Sequence, residues 1–506
     1  MSTTDDPSNG HILRALAGLM LALFVSTLSS TVVATALPQM LHALHGSQTE
    51  YTWVVTATLL TATAATPIWG KLADLFSKKL LLQVAAAIFI AGSLASGLSR
   101  SAGELIGARA LQGVGVGGLQ ALVQITLAAM IPPRERGRYA GYTSSATAIS
   151  TIGGPLLGGF IVDTAWLGWR WCFFIGIPFA ILALILVQRT VRLPDTRRGN
   201  VKIDYGGATL ITGSVSLLLI WISFVGGSFA WASWPTAAMT GATLVLLAWA
   251  VWTETRAAEP IVPPRIIRQR TTLLAVLGSL AAGTAMYGAS VFLTQYFQLS
   301  RGRTAAQAGL LTIPMMAGIL VASTVAGALI SRTGRLKPYL VAGTVSLAAG
   351  FGGLSLISDH TSFVFISVAM VLSGAGVGMT VQNFVLVVQN SVPLSDIGAA
   401  SATVSFFRSM GGTIGVAVLG AVLARQVSGR VAGSIADRAA TQAAYGTATG
   451  HVFAISAAVA LLGVLAAVLL KPVTLRTSHQ LADPAKTATG AAGPAEAGPA
   501  ADYAEP

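Results

Sequence analysis

Gly154-Pro155-Leu156-Leu157-Gly158-Gly159 lies inside an apolar run from Gly137 to Val162, long enough to cross a hydrocarbon core of roughly 30 Å. In that medium every backbone N–H and C=O must find its partner within the protein, so the run reads as a helix. Pro155 removes one helical hydrogen bond and bends the span. Gly154 and Gly158, four residues apart, share a face with Ser150 and let a neighbouring helix approach backbone to backbone. An ordinary kinked and tightly packed helix would show the same residues, so the rest of the chain must decide what this face is for.

The 506 residues are 54% hydrophobic and only 10% charged, with mean hydropathy +0.72, whereas soluble domains carry about 25% charged residues. The composition excludes a soluble globular protein and indicates a polytopic membrane protein. The net charge of +13 does not point to nucleic acid. Its cations fall in short clusters between apolar runs, the pattern of the positive-inside rule. Cys172 is the single cysteine, which rules out an internal disulfide and a thiolate metal cluster. The first apolar run follows a polar Met1–Gly10 and lacks a cleavage-type end, so it reads as a span and not as a signal peptide.

Fourteen apolar spans follow, near 12–37, 52–70, 80–98, 104–131, 137–162, 171–187, 205–224, 235–253, 272–296, 305–330, 338–357, 363–389, 397–423 and 451–470. Alternate loops concentrate lysine and arginine, for example Lys71, Lys78 and Lys79, then Arg134, Arg136 and Arg138. This bias places both termini in the cytoplasm of a multi-pass plasma or inner membrane protein. Residues 424–450 then form a long external loop, with room for a short surface helix, and the tail 476–506, rich in Ala, Gly and Pro, is expected to be disordered.

An internal repeat is legible. Gly113, Gly115 and Gly117 match Gly374, Gly376 and Gly378 at an offset of 374 − 113 = 261 residues, and the same offset joins Pro132 to Pro393, Gly137 to Gly398 and Gly154 to Gly415. Repeated halves are a transporter signature. The expected organisation is a six-helix bundle over 1–190, a cytoplasmic linker with two inserted helices over 191–260, a second six-helix bundle over 261–475, and the tail. Three residues break the symmetry: at the offset of 261 Pro155 matches Val416 and Arg109 matches Met370, and at the offset of 327 − 70 = 257 that joins Gly70 to Gly327, Asp74 matches Ser331.

Arg109 is a permanent cation near the start of the fourth span. Such a charge is costly in a membrane and marks a functional interior position, unless it snorkels to the nearby surface. Gly70-Lys-Leu-Ala-Asp74-Leu-Phe-Ser-Lys78-Lys79 closes the second span. Asp74 can cap a helix N-terminus or belong to a solvated charged turn.

These three stretches, in this order and spacing, resemble the major facilitator superfamily. Trp169-Arg170-Trp171 with Ile175-Gly176-Ile177-Pro178, the loop Asp204-Tyr205-Gly206-Gly207 and the two extra spans resemble its fourteen-span drug:proton antiporter family. The resemblance implies an all-helical fold of two six-helix bundles plus two inserted helices. It also implies an exporter helix at Gly154, Pro155, Gly158 and Gly159, a conformational latch at Gly70, Asp74 and Lys78, and a proton-coupling role for Arg109. The expected function is secondary active export of hydrophobic small molecules by alternating access, with protons and the lipid bilayer as partners, no cofactor or metal, and a monomeric carrier.

The chain departs from that family in the first span. Where relatives carry an aspartate in a Leu-Asp-x-Thr run, this chain has Leu28-Ser29-Ser30-Thr31. No Asp or Glu lies near the middle of any span, which leaves Asp74 and Asp163 at the rims as proton carriers, since carboxylates tune their affinity more readily than arginine. An uncoupled facilitator or a lipid exporter of the same fold is the alternative. An enzyme is not, because no metal-binding His-Glu-x-x-His helix, P-loop or nucleophile elbow is present. Candidate cavity residues are Ser29, Ser30, Gln120, Gln124, Tyr287, Gln295, Gln382, Asn383 and Arg408, although buried amides also serve as glue between helices. Neutral or anionic amphiphiles are expected to be favoured over dications, with Arg408 available if it faces inward.

Overall fold

The computed structural model describes residues 7–44, 48–131, 133–164, 166–191, 204–225, 229–257, 260, 262, 264–393, 396–431 and 438–472. The expected disordered tail and most of the cytoplasmic linker lie outside these residues. The first half comprises α1 (Pro7–Ala43), α2 (Gln48–Leu75), α3 (Lys78–Leu98), α4 (Ala102–Met130), α5 (Pro133–Asp163), α6 (Trp171–Phe174) and α7 (Gly176–Thr190). The inserted pair is α8 (Tyr205–Phe224) and α9 (Trp234–Arg256). The short α10 (Pro264–Ile267) leads into α11 (Arg270–Leu299), α12 (Ala305–Leu311), α13 (Ile313–Thr333), α14 (Lys337–Leu354), α15 (Phe363–Ser391), α16 (Ile397–Val431) and α17 (Arg438–Leu469). Among the described residues the only β pairing is an isolated bridge between Val225 and Phe229.

Among the described residues eleven stretches are long and apolar enough to cross a membrane, α6 with α7 counting as one. The shorter apolar helix within α8, α2 and α14 bring the set to the fourteen spans read from hydropathy. Two spans are interrupted where proline intervenes. Pro178 and Pro314 have no N–H to continue a helix, and the breaks at Ile175 and Thr312 place each in the first turn of the next helix, where that N–H is not needed.

Residues 424–450 differ from the expected loop. α16 continues to Val431 and α17 begins at Arg438, so helix occupies most of the segment. Its alanine-rich composition has high helix propensity, and α17 is anchored there by the buried Ala444 and Ala448.

The sequence repeat reappears as matched packing. A Cβ on Gly113 or Gly117 would strike α2, at Thr61 Oγ1 (2.1 Å) or the Ala62 carbonyl (2.3 Å), and one on Gly115 would strike Phe89 N of α3 at 2.5 Å. The counterparts Gly374 and Gly378 meet α13 at the Met315 and Ile319 carbonyls (2.0 and 2.4 Å), and Gly376 meets Leu347 N of α14 at 2.5 Å. Glycine is required because the helices cross backbone to backbone. The inserted α8 lies against α2 and α16, where Ile211, Val215, Leu219 and Phe406 share an apolar cluster.

Candidate functional site

Arg109 is buried, at 3% exposure, so it does not snorkel. Its guanidinium donates through Nη1 to Gln112 Oε1, one helical turn along α4, and lies 5.9 Å from the centre of the Phe173 ring. A guanidinium can only donate, so Gln112 must present its oxygen to it and its amide nitrogen elsewhere. That Nε2 donates to Ser29 Oγ on α1 at 2.9 Å and to Ser93 Oγ on α3 at 2.7 Å. Thr58 of α2 donates to the Arg109 carbonyl at 3.1 Å. One buried cation thus ties four helices together, and no carboxylate pairs with it among the described residues. Ser93, Thr58 and the bridging role of Gln112 escaped the sequence reading. The spacing of three between Arg109 and Gln112 was the one available signal.

Asp74 lies four residues past the apolar segment 52–70, on the face that carries the basic 71–79 loop. Its Oδ1 accepts from Gly398 N and its Oδ2 from Ala399 N, both at 2.8 Å. A carboxylate of the first half therefore caps the N-terminus of α16 in the second, where the helix dipole favours negative charge. Gly70, one turn earlier, makes room for this contact: a Cβ there would lie 2.1 Å from Ala402 Cβ and 2.9 Å from the Gly398 carbonyl. Burial pushes the Asp74 carboxyl up to about 7, against the lowering effects of the two backbone N–H groups, Lys78 and Lys71. Burial also lowers Lys78, while Asp74 opposes that shift. Beside this seam Arg265 forms an ion pair with Asp396 at 2.9 Å, just ahead of α16.

On α5, Gly154 meets α1. A Cβ there would lie 2.0 Å from Thr31 Oγ1. Thr31 donates to the Ser150 carbonyl at 3.1 Å, and Ser150 donates to the Phe24 carbonyl at 3.0 Å. Gly158 is buried. Gly159 faces open space and supports no close approach. The side chains of Pro155 and Asp163 lie outside the described residues.

Gln124, Gln382 and Asn383 line one cavity of about 40 Å³ between α4, α5 and α15, with Tyr139, Thr143 and Gln389. This space holds a few waters at most. Asn383 donates to its own helix at the Met379 carbonyl (2.6 Å), and Ser30 likewise to Ser26. Gln120 and Gln295 are half-buried and join none of these groups. Arg408 and Tyr287 are neighbours on α16 and α11, apart from the Arg109 cluster.

Comparison with known proteins places these features. A family model described as the Major Facilitator Superfamily matches residues 19–416 and 275–496. An uncharacterised MFS-type transporter of Mycobacterium tuberculosis is 36% identical over 80% of this chain and 58% of its own length, so the chain spans less than two thirds of that relative. The multidrug transporter protein MdtP of Bacillus subtilis is 33% identical over 80% of this chain and 74% of its own. The solved proton:xylose symporter XylE has the same fold, with a TM-score of 0.62 at 16% identity over 92% of this chain and 97% of its own. With its repeated halves, its glycine-lined helix crossings and these matches along most of its length, the chain is a multi-pass membrane transporter belonging to the Major Facilitator Superfamily.

Proposed function

We propose that this protein exports hydrophobic small molecules, drugs among them, across the plasma membrane by proton-coupled alternating access, with both termini in the cytoplasm. The observation that carries this reading is the Asp74 carboxylate seated on the N-terminus of α16, which closes one face of the path with a titratable group. The likeness to MdtP, a multidrug transporter by name, supports the substrate class.

In the closed arrangement Asp74 binds a proton near neutral pH, because burial holds its carboxyl at about 7. When that face opens and water reaches the carboxyl, its affinity returns to the ordinary carboxylate range near 4. The closed state therefore takes up a proton and the open state releases it to the cytoplasm, the order that antiport requires. Protonation favours closure fully below about pH 4 and loses that effect as pH rises through about 7.

The test is efflux of a fluorescent lipophilic dye from intact cells with and without a pH gradient, in the wild type, Asp74→Asn and Arg109→Ala. Gradient-dependent efflux that both substitutions abolish supports the proposal. Efflux indifferent to the gradient replaces it with an uncoupled facilitator, the reading favoured by Ser29 standing where an acid would otherwise meet the Arg109 network.

A further inference from the structure

Arg408 stands eleven residues into α16, about 16 Å along the helix at 1.5 Å per residue, and so near the middle of the membrane. It is half-buried and has no hydrogen-bond or ion-pair partner among the described residues. The surrounding contacts fix where it points. Ser401, Arg408 and Gly412 fall on one face of α16. Gln389 of α15 donates to Ser401 Oγ at 2.9 Å, and the Tyr287 ring of α11 covers Gly412, where a Cβ would lie 2.2 Å from Tyr287 Cδ2. The other side of α16 presents Phe406, Phe407 and Met410 to the inserted α8. Arg408 therefore faces inward between α11 and α15, away from α8.

Tyr287 is also half-buried, its hydroxyl likewise has no hydrogen-bond partner among the described residues, and the residue interacts electrostatically with Arg408. A permanent cation and a phenol thus lie near each other close to mid-membrane, and neither side chain has a hydrogen-bond partner among the described residues. An arginine at that depth is costly unless it faces the bundle interior or a watery cavity, and a partly exposed planar guanidinium there is shaped to take a carboxylate or sulfonate. Arg109 belongs to a separate site, where its guanidinium donates to Gln112 Oε1 and, at 3.5 Å, to the Val54 carbonyl.

We propose that Arg408 and Tyr287 form an anion-recognition subsite in the transport path, which selects amphiphiles that combine an apolar body with one acidic group. The proposal rests on the transporter reading but not on its direction or coupling.

The experiment measures equilibrium binding of radiolabelled 1-naphthaleneacetate and of its uncharged amide to the full-length protein in nanodiscs, with no gradient. The acid is expected to bind about tenfold tighter than the amide, the scale of one charge-assisted hydrogen bond. Arg408→Gln is expected to remove that difference by weakening the acid far more than the amide, while Arg408→Lys keeps part of it. Equal binding of acid and amide to the wild type overturns the proposal, as does an Arg408→Gln loss of equal size for both probes. Complete displacement of the acid by equimolar inorganic phosphate assigns the site to a free anion and also overturns it. If Arg408→Gln does not fold, Tyr287→Phe decides: a selective loss of acid binding supports the subsite, and no change sinks it. Failure of gradient-dependent efflux would sink the exporter reading while leaving this binding result intact.

Discussion

Gln112 Nε2 donates a 2.9 Å hydrogen bond to Ser29 Oγ across the α1–α4 contact. Ser29 occupies the place where the resembling family carries its first-span aspartate, so the relationship shows what the serine replaces: a direct line, through one amide, to the buried Arg109. A hydroxyl relays the hydrogen bond but contributes no titratable proton in the physiological range. Ser29→Asp is therefore expected to strengthen the gradient dependence of efflux and to extend protection to dicationic dyes. Parallel growth-inhibition and dye-efflux measurements check both effects, and an unchanged ratio of dication to neutral-compound protection would count against the Ser29 reading.

Arg109→Ala leaves Gln112 Oε1 without its donor in a buried site. The expected cost is roughly 1–3 kcal/mol, visible as a lower melting temperature in detergent, together with loss of most transport. Gln112→Leu is expected to destabilise more, because it strands the guanidinium itself, whereas Ser93→Ala removes only one of two acceptors and should stay mild. The rank order by thermal shift, and not the absolute values, is the check.

Closure of the Asp74 seam is expected to depend on pH. With its carboxyl at about 7 when closed and near 4 when hydrated, acidification from pH 8 to pH 5 favours the closed arrangement. Asp74→Asn mimics the protonated state and should abolish that dependence. Cys172→Ser provides a cysteine-free background in which spin labels at Ser77 and Pro393 report the separation of the two halves. A separation that shifts with pH equally in wild type and Asp74→Asn would contradict this assignment.

Gly70→Val is expected to wedge the same seam open, since its first carbon alone would collide with Ala402. The label distance across the seam should lengthen at every pH. Gly159→Ala, facing open space, is the matched control and should leave both distance and transport unchanged.

Much of the fold was legible because a bilayer imposes long apolar helices and a two-sided charge bias, and because the repeat at an offset of 261 residues preserves the glycines where helices cross. The expected loop over 424–450 was not legible as helix, since Arg425, Arg430 and Arg438 interrupt the apolar run there while alanine content keeps the helix propensity high. Within the site, Arg109, Asp74 and Gly154 could be singled out because each breaks the symmetry of the halves or the rules of the membrane.

The partners of these residues were not so accessible. Asp74 meets backbone N–H groups 324 residues away, and backbone donors carry no sequence signature. Gln112 joins Ser29 and Ser93, 83 and 19 residues distant, and in the sequence these are three ordinary polar residues among many. By itself the sequence determined a polytopic helical carrier with two related halves, because hydropathy, charge bias and glycine spacing are local quantities summed along the chain. Only the tertiary structure decided that Arg109 bonds to an amide, that Asp74 fastens one half to the other and that Arg408 points between α11 and α15, because hydrogen bonds and charge pairing depend on which helices pack together.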